Sequence, residues 1–355
     1  MKLLATAGTT NGMKIVRKLP KRVVLLVVVA LLAASAGAGI ALAHGSAKPI
    51  GSGVVVIDTN LAYQGNAAAG TGMVLTSSGE VVTNNHVISG ATTIKVVVPK
   101  TGLSYKARVL GYDRTADVAL LQLQGASNLK TVSTTSAKLS VGATVTALGN
   151  AGGNGSITSA TGTVTGLGKS ITASDDAGGT EQLTGLIETN AGVEPGDSGG
   201  PLVNSKGQVV GMDTAGSLRF GFQGISATDA YAIPIAKALT IAHAISSGRA
   251  SSTVHIGATA FLGIEVESVN TPGFGGASAS GALIAGVVTG GPAASAGLAA
   301  GDVITAINGH TVSSPAAVSA LVLTKKPGAK ITVAYVDLSG ASRTASVMLG
   351  SGPPQ

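Results

Sequence analysis

The sequence contains no cysteine and no tryptophan, and only 3% of its 355 residues are aromatic. Without cysteine the chain cannot form disulfides, thiolate metal sites or iron–sulfur clusters, and it has no cysteine nucleophile. Charged residues are also scarce, at 11%, against roughly a quarter in typical globular domains. Glycine is abundant instead, with 52 residues, and a hydrophobic content of 45% is enough for the cores of two domains.

The net charge of +7 comes almost entirely from the first 22 residues. These hold six of the 23 lysines and arginines, and the first acidic residue is Asp58. Taking six from 23 leaves 17 cations against 16 anions in the rest of the chain, a net charge of +1. Because the chain has neither a basic domain nor many aromatic rings on which bases could stack, nucleic acid is not an expected partner.

An uncharged stretch at 23–43 follows these cations and is long enough to cross a bilayer as a helix. A basic start, an apolar run and small residues ending in Ala41-Leu42-Ala43 are typical of a secretory signal peptide, whereas a buried core helix would show a polar face. We predict that residues 1–43 are a signal peptide cleaved after Ala43, or else a retained N-terminal membrane anchor. Either outcome makes the rest of the chain extracytoplasmic, whether secreted or held in the periplasm or cell envelope, with no other membrane contact expected.

Short segments rich in valine, threonine, isoleucine and leucine follow, separated by glycine, asparagine, serine or aspartate at intervals of roughly 8 to 12 residues. This pattern predicts closed antiparallel sheets, in the form of barrels. The polar stretch at 169–183 is predicted to be a long loop. The predicted strands lie at 54–58, 72–75, 81–83, 93–98, 107–112, 118–122, 144–148, 162–166, 185–189, 201–204, 209–213 and 229–233.

One segment near the middle of the chain has helical periodicity. Apolar residues recur at helical spacing over 235–247, which begins after Pro234 and ends before Gly248, so a helix is predicted to close the first domain. We place the first domain at 50–247, a polar linker at 248–258 and a second domain at 259–350.

The segment 196–201 (GDSGGP) is a glycine-dense turn that carries Ser198 between two predicted strands. A nucleophilic serine needs such a turn, because its Oγ must project and neighbouring main-chain N–H groups must converge on the oxyanion that forms. A base and an orienting carboxylate are available at His86 and Asp117, in the chain order of chymotrypsin-like enzymes. Each motif alone is common in turns or at strand edges, but the three together favour a serine peptidase.

Three segments resemble the catalytic segments of trypsin-like serine peptidases of the HtrA (Deg) family: TNNHVI at 83–88, DVALL at 117–121 and VEPGDSGGPLVN at 193–204. Three more resemble the PDZ domain of that family: AFLGI at 260–264, GPAASAGL at 291–298 and GDVITAING at 301–309. The resemblance covers about 50–350 and is greatest to secreted actinobacterial members with one PDZ domain. It implies a mainly β protein, in which a chymotrypsin-like double antiparallel β-barrel precedes a small α+β PDZ domain.

The resemblance also implies the catalytic roles. Ser198 attacks the scissile carbonyl, His86 accepts its proton, and Asp117 orients the imidazole. The main-chain N–H groups of Gly196 and Ser198 form the oxyanion hole. Such an enzyme needs no cofactor, and its expected substrates are unfolded or exposed polypeptides in protein quality control.

The same resemblance assigns the S1 pocket to Gly192 and Val193, just before the nucleophile, and to the strand at 210–214, which contains Met212. No carboxylate stands at Gly192, so cleavage is expected after small or medium aliphatic residues rather than after lysine or arginine. Asp197 and Asp213 stand where the family commonly has asparagine. A buried carboxylate at Asp197 would need a hydrogen bond, a cation or solvent.

The PDZ-like region implies a second, separate binding site. Its groove would bind an extended peptide by strand addition, with the peptide's C-terminal carboxylate held by the main-chain N–H groups around Leu262, Gly263 and Ile264. Val318, on a helix predicted at 315–323, would contribute to an apolar pocket for the last side chain. Alternatively, this domain serves only in packing or oligomerisation. Separately, likeness to the family leads us to expect that the protein is a homotrimer.

Two functions remain open at this point. One is an exported endopeptidase with a peptide-binding PDZ domain, and the other is a peptide-binding, chaperone-like protein in which proteolysis is absent or secondary. No metal site is expected, because the remaining histidines have no histidine or acidic neighbours at metal-ligand spacing. These histidines are His44, His243, His255 and His310.

Overall fold

The structure is a computed structural model that describes residues 51–174, 180–216, 229–269 and 281–355, without the side chains of 173, 174, 180, 181, 215 and 216. The predicted export segment at 1–43 lies outside these ranges. Within them, no helix has both the length and the apolar character needed to cross a bilayer. The described residues form mainly strands, which confirms the predicted fold class.

The first six strands close into an antiparallel barrel. Strand β1 lies between β2 and β4, β2 pairs with β3, β3 with β6, and β4 with β5, and the β5–β6 pairing closes the barrel. Val55 and Ile57 of β1 alternate towards the interior and pack against Val96. Strands β1 to β6 are Val54–Leu61, Asn66–Val74, Glu80–Thr83, Thr93–Val98, Leu103–Asp113 and Val118–Leu123.

The next six strands form a second closed barrel, in the order β10-β11-β12-β9-β8-β7 with β10 paired to β7. Its interior contains Val145, Val164, Leu202 and Ala232, which are all buried. Strands β7 to β12 are Thr144–Gly149, Thr158–Ser174, Thr180–Thr189, Pro201–Asn204, Val209–Gly216 and Ala230–Pro234.

A helix and a shared core join the two barrels. Helix α2, which follows the four-residue helix α1 at Asn85–Ile88, spans Ile235–Ser246 and buries residues at spacings of three and four. Its buried face belongs to one cluster with side chains from both barrels, so the site between them rests on a continuous core. The largest members of this cluster include Met73, Leu120, Leu148, Met212 and Ile233.

Three segments differ from the prediction. Strands β8 and β9 continue into most of the stretch at 169–183 that was predicted to be a loop, because Ile171 and Leu183 face the core and are almost fully buried. Val254–Ile256, inside the predicted linker, forms strand β13 and pairs with β5 of the first barrel. Helix α1 was not predicted, since four residues are too few to show helical periodicity.

The second domain has its own sheet and its own core. Strand β14 pairs with β21, while the other strands follow the order β15-β16-β17-β19-β20, with β18 beside β17. Its core includes Leu262, Ile304, Val318 and Val333. Strands β14 to β21 are Thr259–Phe261, Ile264–Ser268, Ala282–Val287, Val303–Ile307, His310–Thr311, Lys330–Val336, Ser342–Met348 and Gly350–Gly352, and helices α3 and α4 are Pro292–Ser295 and Pro315–Leu323.

The last residues of the second domain return to α1. The Gly90 N–H donates a hydrogen bond to the Pro354 carbonyl at 2.8 Å, and the Asn85 side-chain amide donates to the Gln355 main-chain oxygen at 3.1 Å. The Tyr112 hydroxyl lies 3.2 Å from the Thr259 hydroxyl. The short helix next to β3 is therefore held by contacts from both domains.

Ile233→Ala is expected to lower the free energy of unfolding by about 2–5 kcal/mol, because it leaves a cavity in the core shared by the two barrels and α2. Val141→Ala is the control: Val141 is 62% exposed, and we expect its loss to change that free energy by less than about 0.5 kcal/mol. Urea denaturation followed by circular dichroism measures both. Equal effects of the two substitutions would contradict this description of the core.

Candidate active site

Elements from both barrels bring His86, Asp117 and Ser198 to one place. His86 is the second residue of α1, between β3 and β4. Asp117 lies in the turn between β5 and β6, and Ser198 lies in the turn before β10. The first two residues therefore belong to the first barrel and the third to the second barrel.

The Asp117 carboxylate is 5% exposed and is surrounded by donors. Its Oδ2 lies 2.9 Å from His86 Nδ1, and its Oδ1 accepts from the His86 main-chain N–H at 3.0 Å. The Asp117 main chain has a φ of +54°, and its carbonyl accepts from the Asn84 side chain at 2.9 Å. A positive φ is uncommon for a residue other than glycine, and the hydrogen bonds on both sides of Asp117 hold it there.

The His86 imidazole is positioned through one of its two ring nitrogens. Its side chain is 49% exposed, so the ring is open to solvent on one side. When the Nδ1 hydrogen is donated to Asp117, Nε2 is left as the acceptor. This tautomer is the one that a general base needs.

Thr214, in the second half of β11, links the carboxylate to the serine. Its hydroxyl donates to Asp117 Oδ2 at 2.5 Å, and its main-chain carbonyl accepts from Ser198 Oγ at 3.0 Å. Sequence reasoning placed this residue in the strand at 210–214 of the S1 pocket, but it predicted neither of these two hydrogen bonds. The only signal was its place directly after Asp213 on a strand already assigned to the substrate pocket.

The turn around Ser198 requires glycine at two positions. Gly196 has a φ of +102°, and a Cβ there would lie 2.1 Å from the Asn150 carbonyl oxygen. Gly199 has a φ of +84°, and a Cβ there would lie 2.1 Å from the Thr71 carbonyl oxygen. Both positions therefore exclude a side chain, through backbone conformation and through the close approach of a main-chain carbonyl from another segment.

The two main-chain N–H groups predicted to be oxyanion donors, those of Gly196 and Ser198, belong to this turn. Among the hydrogen bonds of the described residues, none uses the main-chain N–H of Gly196 or Ser198 as its donor. The Pro195 carbonyl accepts from the Gly152 N–H at 2.8 Å. Because the C=O and N–H of a trans peptide point in opposite directions, the Gly196 N–H is directed away from Gly152.

Thr71, on β2 of the first barrel, holds this turn in place through hydrogen bonds. Its N–H donates to the Ser198 carbonyl at 2.9 Å, and its hydroxyl donates to the Gly196 carbonyl at 2.7 Å. The same hydroxyl accepts from the Asn150 N–H at 2.9 Å. One fully buried threonine thus holds both residues that carry the predicted oxyanion donors.

The residues predicted for S1 do not all come together. Val193 is 7% exposed and clusters with Ala191 and Val210, and Gly192 lies beside it, half-buried. Met212 instead has no exposed surface and packs in the core shared by the barrels, in a different cluster from Val193. The alternation of residues along a strand predicts which side chains share a face with Met212. It does not show that this face of β11 packs against α2.

Two carboxyl groups are buried beneath the nucleophile turn. Asp197 is 4% exposed, and its Oδ2 accepts from the Glu194 N–H at 2.9 Å. Asp213 has no exposed surface, and burial, followed by the charge of Asp197, raises the pKa of its carboxyl well above the usual value. The sequence marked both positions as unusual, but it gave no sign that they would be neighbours.

The residues predicted for peptide binding lie just before and at the start of β15 and on α4. Leu262 and Val318 are buried in its core, Gly263 has a φ of +77°, and Ile264 begins β15. Within the described residues, β15 pairs only with β16, so its other edge is open towards α4. An open strand edge beside a helix is the arrangement that accepts an added peptide strand.

Comparison with known proteins identifies both halves of the chain. Residues 70–212 match the trypsin-like peptidase domain, and residues 260–348 match the PDZ domain. The serine protease PepD of Mycobacterium tuberculosis is 35% identical over 312 residues, which cover 84% of this chain and 63% of PepD. A probable periplasmic serine endoprotease, DegP-like, from Pseudomonas putida is 35% identical over 295 residues, covering 80% of this chain and 56% of the relative.

This chain belongs to the HtrA (Deg) family. It spans about three fifths of the length of these two relatives. A solved structure of the HtrA-type protease AlgW with a tripeptide is 28% identical, with a TM-score of 0.48, and the match covers 86% of this chain and 95% of that one. In this HtrA-family chain the first match falls within the two barrels and the second within the domain that follows them.

Thr71→Val is expected to lower the free energy of unfolding by about 1–3 kcal/mol, because it removes the hydroxyl that serves the Gly196 carbonyl and the Asn150 N–H in a buried site. Thr71→Ser keeps the hydroxyl and loses only a methyl group, so its effect should be about 1 kcal/mol or less. Urea denaturation at neutral pH compares the two. If the serine variant is as unstable as the valine variant, the hydroxyl is not the bracing group.

Proposed function

We propose that this protein is an exported serine endopeptidase of protein quality control, which cleaves unfolded or exposed polypeptides through an acyl-enzyme. The observation that carries the proposal is the contact of 2.9 Å between His86 Nδ1 and the buried Asp117 carboxylate. Thr214 links this carboxylate to Ser198, because its hydroxyl donates to Asp117 and its carbonyl accepts from the Ser198 hydroxyl. The names of the relatives from M. tuberculosis and P. putida, both serine proteases, support it.

The proposed reaction begins at the Ser198 hydroxyl. His86 Nε2 accepts its proton as Oγ attacks the scissile carbonyl, and the imidazolium is stabilised by Asp117. The N–H groups of Gly196 and Ser198 then donate to the oxyanion, and each such donor is worth about 3–4 kcal/mol in enzymes of this type. The imidazolium gives its proton to the leaving amine, and water hydrolyses the acyl-enzyme by the same route.

The S1 pocket proposed for this enzyme selects small or medium aliphatic side chains such as valine, alanine and isoleucine. Gly192 offers no carboxylate to bind lysine or arginine, and the nearly buried Val193 narrows the space. We assign the wall on the β11 side to the main chain at Thr214, because this residue contacts Ser198. This assignment replaces the side chain of Met212.

The PDZ domain supports a second proposed role, the binding of peptide C-termini. An extended peptide would add to the open edge of β15, with its carboxylate at the main-chain N–H groups of Leu262, Gly263 and Ile264. Val318 lies beneath this edge, on α4. From family likeness we also propose an extracytoplasmic location and a homotrimer built by the protease domain.

One observation favours a second candidate, a peptide-binding or chaperone-like protein with little or no proteolysis. The Ser198 hydroxyl donates to the Thr214 carbonyl at 3.0 Å. This hydrogen must turn to His86 before attack, so a site that stays in this arrangement binds peptides without cleaving them. The two candidates differ in a simple assay of proteolysis.

Ser198→Ala is expected to reduce the rate of casein cleavage by about 10⁴-fold or more, because only binding and oxyanion stabilisation remain without the nucleophile. Ser205→Ala, in the exposed turn after β10, is the matched control and should leave the rate unchanged. Digestion is followed by release of labelled peptides. Equal cleavage by wild type and Ser198→Ala would remove the peptidase proposal in favour of the second candidate.

The cleavage profile on a peptide library should show valine, alanine or isoleucine at P1. Val193→Ala widens the pocket, so the ratio of kcat/KM for leucine over alanine at P1 should rise about 10-fold. This is the discrimination that one or two methylene groups give in an apolar pocket. Ratios of kcat/KM for matched peptides measure this change. A wild-type profile dominated by arginine or lysine would contradict the pocket assignment.

A further inference from the structure

Asp213 lies directly under the nucleophile turn and is tied to it by the main chain. Its N–H donates to the Gly200 carbonyl and its carbonyl accepts from the Gly199 N–H, each at 2.8 Å. Its side chain has no exposed surface. Among the described residues, neither oxygen of the Asp213 carboxyl has a hydrogen-bond donor. The proposed catalytic steps make no use of this group.

A second buried carboxyl, that of Asp197, is its electrostatic neighbour. Asp197 directly precedes Ser198, and its Cα and Oδ1 lie so close to Gly149 that a Cβ at that glycine would stand 2.6 and 2.4 Å from them. This tight packing leaves Asp197 little room to move. The burial of Asp213, and after it the charge of Asp197, both raise the pKa of the Asp213 carboxyl.

Among the described residues, the elements around Asp213 other than the nucleophile turn contribute no charge that shifts the pKa of its carboxyl. Strand β11 is flanked by β10 and β12, whose residues beside it, such as Pro201 and Ala232, are uncharged. On β12, the Tyr231 hydroxyl donates to Glu188, and Asp117 is engaged by Thr214 and His86. Asp197 on the nucleophile turn is therefore the titratable group that governs Asp213.

Two buried carboxyls that share a site cannot both be ionised at low cost. When one of them keeps a proton, its O–H becomes the single donor of the pair, and the other group can accept from it. Asp213 is the more deeply buried of the two, whereas Asp197 already receives the Glu194 N–H, which stabilises the charged form. The proton therefore belongs on Asp213.

We propose that Asp213 is a positioning residue, which in its protonated form holds Asp197 and thereby keeps the turn of Gly196 and Ser198 in its working geometry. The consequence for catalysis rests on the peptidase function proposed above. When the pair loses its last proton, two like charges meet beneath Ser198, and the turn that presents the oxyanion donors is pushed apart. Activity should then fall at high pH for a reason separate from His86, whose deprotonation raises activity.

A stability measurement tests the proposal without any need for proteolysis. Because the pKa of Asp213 is higher in the folded state than in the unfolded state, the folded protein holds the extra proton. The stability linked to this proton is fully present below the unfolded pKa, and it is lost as the pH rises through the folded pKa. Asp213→Asn supplies a neutral donor at every pH and should abolish this loss.

The experiment compares wild type, Asp213→Asn, Asp213→Leu and Asp58→Asn from about pH 5 to pH 9. Asp58 is a partly exposed carboxylate paired with Lys95, and it serves as the matched control. We expect the unfolding free energy of the asparagine variant to exceed that of wild type increasingly as the pH rises, while the Asp58 variant follows wild type. A difference infrared spectrum should show a neutral carboxyl band in wild type that is absent from Asp213→Asn.

Cleavage supplies the functional readout. The kcat of Asp213→Asn should match that of wild type within about twofold in mild acid and exceed it by about 10-fold at the alkaline end, with KM little changed. Asp213→Leu has no donor, so its kcat should be low at every pH. Superimposable pH dependences of stability for wild type and Asp213→Asn would overturn the proposal, as would a leucine variant as active as the asparagine variant. Absence of cleavage by every protein would instead refute the peptidase function, and the stability and infrared results would still decide the role of Asp213.

Discussion

The candidate site depends on the hydrogen bonds by which β2 of the first barrel contacts the Ser198 turn of the second barrel. Thr71 makes these hydrogen bonds: its N–H donates to the Ser198 carbonyl, and its hydroxyl donates to the Gly196 carbonyl. Its carbonyl in turn accepts from the Thr83 hydroxyl at 2.7 Å, at the end of the strand that leads to His86. The nucleophile and the base are therefore positioned by the same strand, although they belong to different barrels.

Glycine makes this close approach possible, and this explains part of its abundance. The Thr71 carbonyl oxygen occupies the space that a side chain at Gly199 would need, and Asp197 occupies the space beside Gly149. A structure without disulfides must hold such contacts by burial and hydrogen bonds alone. The strands are stabilised by burial of their apolar faces. The turns of the site are stabilised by hydrogen bonds between main-chain groups, which can approach so closely only where glycine has no side chain.

The sequence predicted most strands, helix α2 and the residues that meet at the candidate site, because alternation, turn residues and motif order are local signals. It did not predict the hydrogen bonds of Thr71 and Thr214, since a threonine on a strand looks the same whether or not it bonds a residue 125 or 97 positions away. It misjudged Met212 for a related reason: periodicity gives the face of a strand but not what covers that face. Local patterns do not determine long-range pairs, and these pairs define the site.

The position of the imidazole is the clearest case of such long-range dependence. Helix α1 is only four residues long and has no side-chain cap at Asn84, so it cannot be stable as an isolated helix. Its geometry comes from tertiary contacts: Asp117 binds the His86 N–H, while Asn85 and the nearby Gly90 bind the last residues of the second domain. These contacts join the second domain to the helix that carries His86, so the position of the imidazole depends on residues of both domains.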